Sequence, residues 1–201
     1  MIITSKLIWV HLPKTAGTTT ERLFVASGLP LLWNDPQSSY VKHLPVSDHP
    51  DFARLPMDDQ RLIVNFRRLP FWLLSNYHHK SQMMNLKLDF NPVRRGYFWR
   101  DRLSAWLPAD WWLDRLSITS NCSLLRVDYL KADFLSCLRK YQPIDRLSRL
   151  RVRMVKSTNR NYYERKLDTW FSRDELNDLY ALNPRWTELE LLVYGNLLSH
   201  I

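Results

Sequence analysis

The sequence predicts a single α/β domain in which a parallel sheet is covered by helices on both faces. Short apolar runs with strand character alternate with segments of helical spacing, and this alternation is typical of parallel sheets. The chain has 201 residues, of which 45% are hydrophobic. That length and composition allow one full core, so we expect one domain over residues 1–201.

The first strand and helix are the clearest elements. Leu7–Val10 is a continuous apolar run, as expected of a strand that is buried on both faces. Residues 18–27 have helical spacing, and Gly28 follows them at a position where glycine commonly ends a helix. The chain therefore begins with a strand, a loop and a helix.

The remaining elements follow in the same order of strand and helix. Pro70 is suited to the first position of a helix. We predict strands near 31–33 and over 62–66 and 124–127, and helices over 70–79, 130–141, 173–182 and 186–198. Residues 81–117 are irregular and rich in Trp and Arg, so we expect an insertion that shapes a substrate pocket, or a helical cap.

The net charge indicates which binding partners the protein attracts, and the cysteine content indicates the cellular compartment in which it is expected. Lys and Arg total 29 against 20 Asp and Glu, a formal net charge of +9, which attracts anions. The two cysteines, Cys122 and Cys137, are expected to be buried free thiols in a reducing compartment. The sequence has no signal-peptide pattern and no apolar run of about 20 residues. We expect a cytoplasmic protein, or a chain from which a targeting segment has been removed.

The loop between the first strand and helix has the composition of an anion site. The stretch LIWVHLPKTAGTTTERLF covers residues 7–24. Amide groups at a helix N-terminus are unpaired within the helix and carry partial positive charge. Gly17 would let the backbone approach a ligand, Lys14 adds a full positive charge, and several threonine hydroxyls can donate hydrogen bonds. The sequence therefore predicts a loop that holds a phosphate-like group.

This loop is not a nucleotide P-loop, because GxxxxGK[ST] is absent and the lysine precedes the glycine. HLPKTAGTT, residues 11–19, instead resembles the loop of sulfotransferases, especially the carbohydrate type, whose pattern is close to H-x-P-K-T-A-G-[ST]-[ST]. The resemblance implies a fold similar to nucleotide kinases and 3′-phosphoadenosine 5′-phosphosulfate (PAPS) as sulfuryl donor. It places six residues around the 5′-phosphosulfate: Lys14, Thr15, Ala16, Gly17, Thr18 and Thr19.

The resemblance also implies a site for the 3′-phosphate of PAPS. The family pattern R-x-P-x-x-R-x-x-S is similar to the stretch from Arg67 to Ser75, which keeps the spacing of eight. Here the proline is one place late and the second arginine is missing, so Arg68 is an alternative to Arg67. An arginine fork and a helix hydroxyl suit a phosphate dianion.

Two further segments resemble the family more loosely. Residues 124–141 are similar to a strand–helix packing unit, in which Arg126 and Asp128 are read as structural. A polar, basic loop near Lys156 and Arg160 is similar to one that closes over the nucleotide in the family. Both residues are predicted cofactor contacts, with a solvated basic turn as the alternative.

Sulfuryl transfer to an alcohol needs a base for the hydroxyl proton and a cation for the leaving phosphate. Lys14 suits the second task. The family often places its base in a short Lys-His or Gly-His motif, and YVKHLP at residues 40–45 therefore points to His43, with Lys42 as an assistant. Glu21 and Asp48 are the carboxylate alternatives. The other histidines are read as structural or peripheral: His11, His49, His78, His79 and His200.

The leading hypothesis is thus a metal-free, PAPS-dependent sulfotransferase that acts on a hydroxyl of a carbohydrate or glycolipid and releases adenosine 3′,5′-bisphosphate. No metal-ligand motif occurs. The alternatives are a divergent nucleotide kinase and a non-catalytic basic module that binds nucleic acid or anionic glycan. The sequence leaves open whether four tryptophans stack on sugar or belong to the core: Trp99, Trp106, Trp111 and Trp112. Likewise, the run from Arg146 to Arg153 is either a docking patch or an ordinary half-buried element.

Overall fold

The computed structural model describes residues 1–36, 40–55, 60–156 and 163–200. The strands are β1 (Ile2–Ile3), β2 (Leu7–Val10), β3 (Trp33–Asn34), β4 (Arg61–Phe66), β5 (Tyr97–Arg100), β6 (Ala105–Pro108) and β7 (Ser123–Arg126). The α-helices are α1 (Gly17–Ser27), α2 (Leu69–His78), α3 (Asn91–Arg94), α4 (Asp110–Arg115), α5 (Leu130–Tyr141), α6 (Arg146–Met154), α7 (Arg173–Leu182) and α8 (Pro184–Tyr194). The chain forms two compact units, residues 1–66 with 115–159 and residues 67–114 with 160–201.

The first unit contains a mixed five-stranded sheet in the order β3-β1-β2-β4-β7. The prediction of a parallel sheet holds for β2, β4 and β7, which pair in parallel. It is wrong for β1 and β3, which pair antiparallel at one side. Only Thr4, Ser5 and Lys6 separate β1 from β2, and a parallel crossover needs a much longer connection.

The core of this unit lies between the sheet and its helices. Trp9 of β2, Phe24 of α1 and Phe134 of α5 are almost fully buried. The Phe24 ring lies 6.3 Å from Trp9 and 5.0 Å, edge-on, from Phe134. These aromatic contacts pack α1 against β2 and so position the loop that connects the two elements.

The second unit is built from α2, α3, α7, α8 and an antiparallel hairpin of β5 and β6. Its centre contains Trp72, which lies 4.8 Å from Trp186 and 5.3 Å from Phe98. The buried Glu190 carboxylate accepts from the Leu69 amide at the start of α2, at 2.7 Å. A buried side chain thus caps a helix N-terminus here.

Several predicted elements agree with the structure to within a few residues. The helix predicted to end at residue 198 ends instead at Tyr194, because Gly195 adopts a left-handed conformation (φ 78°). The strand predicted over 124–127 is β7, Ser123–Arg126, and lies one residue earlier in the chain. The reading of 81–117 as irregular is wrong for the hairpin, whose turn contains Ser104 at φ 46° rather than a glycine.

Within the described part of the chain, no helix combines the length and the apolar character that crossing a membrane requires.

Candidate functional site

The loop from His11 to Ala16 joins β2 to α1 through two left-handed residues. Lys14 has φ 63° and Ala16 has φ 65°, although neither is glycine. Turns of this kind direct successive amide groups to one side and are found where anions bind. Ala16 is the N-cap of α1 and has no side-chain oxygen to accept from the first amides of the helix.

Asn65, a residue that the sequence analysis did not select, anchors this loop from the neighbouring strand. Its fully buried amide nitrogen donates to the Thr15 carbonyl at 2.6 Å and to Thr20 Oγ1 at 2.5 Å. Its carbonyl oxygen accepts from Trp9 Nε1 at 3.3 Å. A single asparagine in the apolar run LIVNF was the available signal, because a buried polar side chain requires partners.

The threonines of the loop differ in their placement. The buried Thr15 hydroxyl donates to the Leu12 carbonyl at 2.6 Å, so this hydroxyl stabilises the turn. Thr20 Oγ1 donates to the Ala16 carbonyl at 3.2 Å. Thr18 and Thr19 lie in the first turn of α1, the former half-buried and the latter buried.

Gly17 packs directly against the imidazole of His11. A Cβ at Gly17 would lie 2.0 Å from His11 Nε2 and 2.2 Å from Cε1, which is far inside van der Waals contact. From the sequence, this glycine was expected to let a ligand approach the backbone. The structure gives a further reason, since only glycine leaves room for the ring.

His11 and His43 form a pair at the start of the loop. Their ring centroids are 4.5 Å apart, and the His11 ring also stacks on Trp9 at 4.9 Å. Burial lowers the pKa of His11 well below its usual value, and the charges of Lys42 and Lys14 lower this pKa further. His11 is therefore neutral at pH 7.

The hydrogen bond of His43 determines its tautomer. His43 Nδ1 lies 3.0 Å from the His11 carbonyl oxygen. A carbonyl only accepts, so Nδ1 carries the proton and Nε2 of the neutral ring carries the lone pair. His43 belongs to a single helical turn, Tyr40–His43, and this bond ties that turn to the end of β2.

The two carboxylate alternatives to His43 are both in ion pairs. Glu21 Oε1 lies 2.6 Å from Lys42 Nζ in a largely buried pair. Asp48 Oδ2 lies 2.7 Å from Arg115 Nη2 in a more exposed pair. Each carboxylate is thus engaged with a cation of its own unit.

Arg67 and Arg68, the alternatives for a 3′-phosphate, have different environments. The guanidinium of Arg68 donates to Glu190 at 3.2 Å and to the Asn196 side chain at 2.7 Å. Arg67 donates to the Tyr163 hydroxyl at the longer distance of 3.4 Å. Strand β4 keeps its regular pairing to Phe66, so no bulge moves Arg68 into the place of Arg67.

Ser75 is the seventh residue of α2 and is buried. It therefore lies in the second turn of this helix. Three residues later, the ring of His78 stacks on Tyr163 at 4.5 Å. Burial lowers the pKa of His78, so it is neutral rather than a cation at the helix end.

Lys156 and Arg160 were the remaining predicted cofactor contacts, and Arg126 was predicted to be structural. Lys156 is exposed, two residues after the end of α6. Arg160 lies outside the described residues. Arg126 forms a bidentate pair with Asp133 at 2.9 and 2.8 Å, which agrees with a structural role.

The four tryptophans divide between the core and the partly exposed surface. Trp112 is buried, while Trp111 is half-buried against it at 4.9 Å. Trp99 and Trp106 are half-buried partners across the hairpin, with centroids 5.5 Å apart. Among the residues described here, no group of three or more His, Cys, Asp or Glu side chains is arranged to hold a metal ion.

Comparisons of the chain with protein-family models, with curated proteins and with solved structures find no match.

Proposed function

We propose that this protein is a PAPS-dependent sulfotransferase that transfers a sulfuryl group to a hydroxyl of a carbohydrate or glycolipid. The observation that carries the proposal is the arrangement around the first loop. The turn that contains Lys14 leads into α1, whose N-cap residue Ala16 makes no side-chain capping hydrogen bond. His43 is hydrogen-bonded to the carbonyl of His11, the residue at which this loop begins. Sulfuryl transfer needs an anion-binding loop for the donor and an oriented imidazole that acts as base for the acceptor hydroxyl.

The proposed role of His43 is that of general base. Its Nδ1–H bond to the His11 carbonyl leaves Nε2 as the basic atom, which takes the proton of the acceptor hydroxyl. The neutral state of His11 supports this role, because a second imidazolium 4.5 Å away would oppose protonation of His43.

The proposed role of Lys14 and the amides at the start of α1 is to bind the 5′-phosphosulfate. As the acceptor oxygen bonds to sulfur, the bond between sulfur and the bridging phosphate oxygen breaks. Negative charge then builds on that oxygen, and a lysine ammonium with a helix N-terminus stabilises it.

For the 3′-phosphate we propose Arg67 rather than Arg68. Arg68 is engaged with Glu190, Asn196 and the Tyr194 ring, whose centroid is 4.3 Å from the guanidinium carbon. Recruiting Arg68 would leave the buried Glu190 without its cation, which is costly.

Activity is tested by incubating the purified protein with radiolabelled PAPS and a panel of oligosaccharide and glycolipid acceptors. We expect Lys14→Ala to abolish transfer. We expect His43→Ala to lower kcat by about 10²–10⁴-fold while adenosine 3′,5′-bisphosphate still binds. Lys6→Ala removes an exposed lysine from the same unit and serves as the matched control. Full activity in the His43 variant would assign the base to another residue.

Binding calorimetry separates this proposal from a divergent nucleotide kinase. We expect adenosine 3′,5′-bisphosphate to bind without magnesium and Lys14→Ala to weaken that binding. Tight binding of ATP with magnesium, together with no binding of the bisphosphate, would contradict the proposal.

A further inference from the structure

Helix α6 exposes an apolar stripe directly opposite the side that it buries. Ser148 and Val152 face the interior of their unit and are 6% and 0% exposed. Leu147, Leu150 and Met154 are 57%, 52% and 72% exposed. Their spacing of three and four residues places them on one line along the helix. Three large apolar side chains in a row on the outer face distinguish α6 from an ordinary surface helix.

Arginines flank this stripe on both sides. With 3.6 residues per turn, Arg151 lies on one side of the line. On the other side lie Arg146, Arg149 and Arg153. All four arginines are exposed, and within the described part of the chain none of them forms a salt bridge. Arg149 Nε donates to the Asp145 backbone carbonyl at 3.4 Å, which does not neutralise its charge. Among the described residues, the four guanidinium groups are thus charges that an external anion can bind.

We propose that α6 docks the protein on an anionic lipid bilayer. The helix would lie in the plane of the membrane surface, with the apolar stripe among the acyl chains and the arginines at the phosphate groups. Nucleic acid would satisfy the arginines but offers no apolar layer for the leucines and Met154. The formal charge of +9 on the whole chain adds a long-range attraction to the same surface.

This docking surface is independent of the proposed sulfotransferase activity, because none of its residues belongs to the loop at His11–Gly17. The readout is therefore binding rather than turnover. The intact chain is mixed with vesicles of phosphatidylcholine alone or with phosphatidylglycerol added, and the bound fraction is measured by flotation at low and at high salt. We expect binding to the mixed vesicles that weakens as salt increases, and little binding to phosphatidylcholine alone.

Two variants test the two components of the surface separately. Leu147→Ser with Leu150→Ser removes apolar contacts, and we expect vesicle affinity to fall by at least about tenfold. Arg149→Gln with Arg153→Gln removes two charges, and we expect a similar loss with a weaker salt dependence. The matched controls are Leu192→Ser on α8, where the leucine is 62% exposed, and Arg139→Gln at the end of α5. Neither control is expected to change vesicle binding.

Three results would overturn the proposal. The first is no binding of the native chain to phosphatidylglycerol vesicles. The second is binding that depends on the arginines but is unchanged by the leucine variant, which would indicate simple charge attraction without insertion. The third is a dimer in sedimentation that the leucine variant converts to a monomer, which would show that a second copy of the chain covers α6. Circular dichroism of each variant verifies that the helix is retained.

Discussion

Replacing Gly17 by alanine tests whether the glycine is required by the His11 ring. The added Cβ would meet three ring atoms of His11 at 2.0, 2.2 and 2.8 Å. The ring is held between Trp9, 4.9 Å away, and His43, 4.5 Å away, so it cannot move without disturbing this packing. Gly17 does not have a positive φ, so backbone strain makes no contribution.

The size of the effect follows from opposing terms. Overpacking of this kind costs about 1–3 kcal/mol, and the loss of an aromatic stack costs about 1 kcal/mol. Alanine is favoured over glycine by about 1 kcal/mol in a helix interior; Gly17 is the first residue of α1, so this gain offsets only a small part of the loss. We expect the free energy of unfolding to fall by about 2 kcal/mol, which in a chain of this size lowers Tm by about 4–8 °C.

Urea and thermal unfolding of Gly17→Ala measure this effect, with His11→Ala and the double variant completing a cycle. Removing the ring removes the clash, so the alanine at position 17 should cost little in the His11→Ala background. If Gly17→Ala is as stable as the native protein, or if it loses the same stability in both backgrounds, the His11 ring is not what requires a glycine at this position.

Three other predictions concern the residues that support the site. The pKa of His11 is lowered in the folded protein, so the unfolded chain binds more protons than the folded one below about pH 6.5. The free energy of unfolding should therefore fall as the pH decreases, by up to about 1.4 kcal/mol per pH unit. In urea titrations at several pH values, His11→Asn should lose this contribution to the pH dependence of stability. Asn65→Ala leaves buried hydrogen-bonding partners of the asparagine unpaired and should lower the free energy of unfolding by about 2–4 kcal/mol in urea titrations. A loss below about 1 kcal/mol would mean that Asn65 is not needed to hold the loop. Arg68→Ala leaves the buried carboxylate of Glu190 without its cation and should lower the free energy of unfolding by about 3–5 kcal/mol, and unchanged stability of this variant would contradict the importance of the ion pair. Arg67→Ala should instead weaken the binding of adenosine 3′,5′-bisphosphate, which calorimetry measures.

The parts of the fold that local sequence patterns specify were predictable. The apolar run Leu7–Val10 and the stop at Gly28 gave the first strand and helix almost to the residue. The strand expected near residues 31–33 lies close to β3, whereas the two residues of β1 are too few for any hydrophobic period to be visible. The β5–β6 hairpin was missed because its turn uses Ser104, and a left-handed serine leaves no glycine signal.

The candidate site was predictable in composition but not in contacts. The sequence indicated a loop with Lys14 and a histidine at position 43, but the tautomer of His43 depends on a backbone carbonyl that is 32 residues distant in the chain. Similarly, the environment of Arg68 differs from that of Arg67 because Arg68 contacts Glu190 and Asn196, which lie more than 100 residues later in the chain. Such contacts depend on tertiary packing, which a single sequence does not display.

The central claim is that the loop from His11 to Gly17 binds the phosphosulfate end of PAPS. A crystal structure of the protein soaked with adenosine 3′,5′-bisphosphate tests this most directly. We expect the 5′-phosphate within about 2.7–3.2 Å of Lys14 Nζ and of amides at the start of α1. An empty loop, with the nucleotide bound at another place on the chain, would contradict the claim.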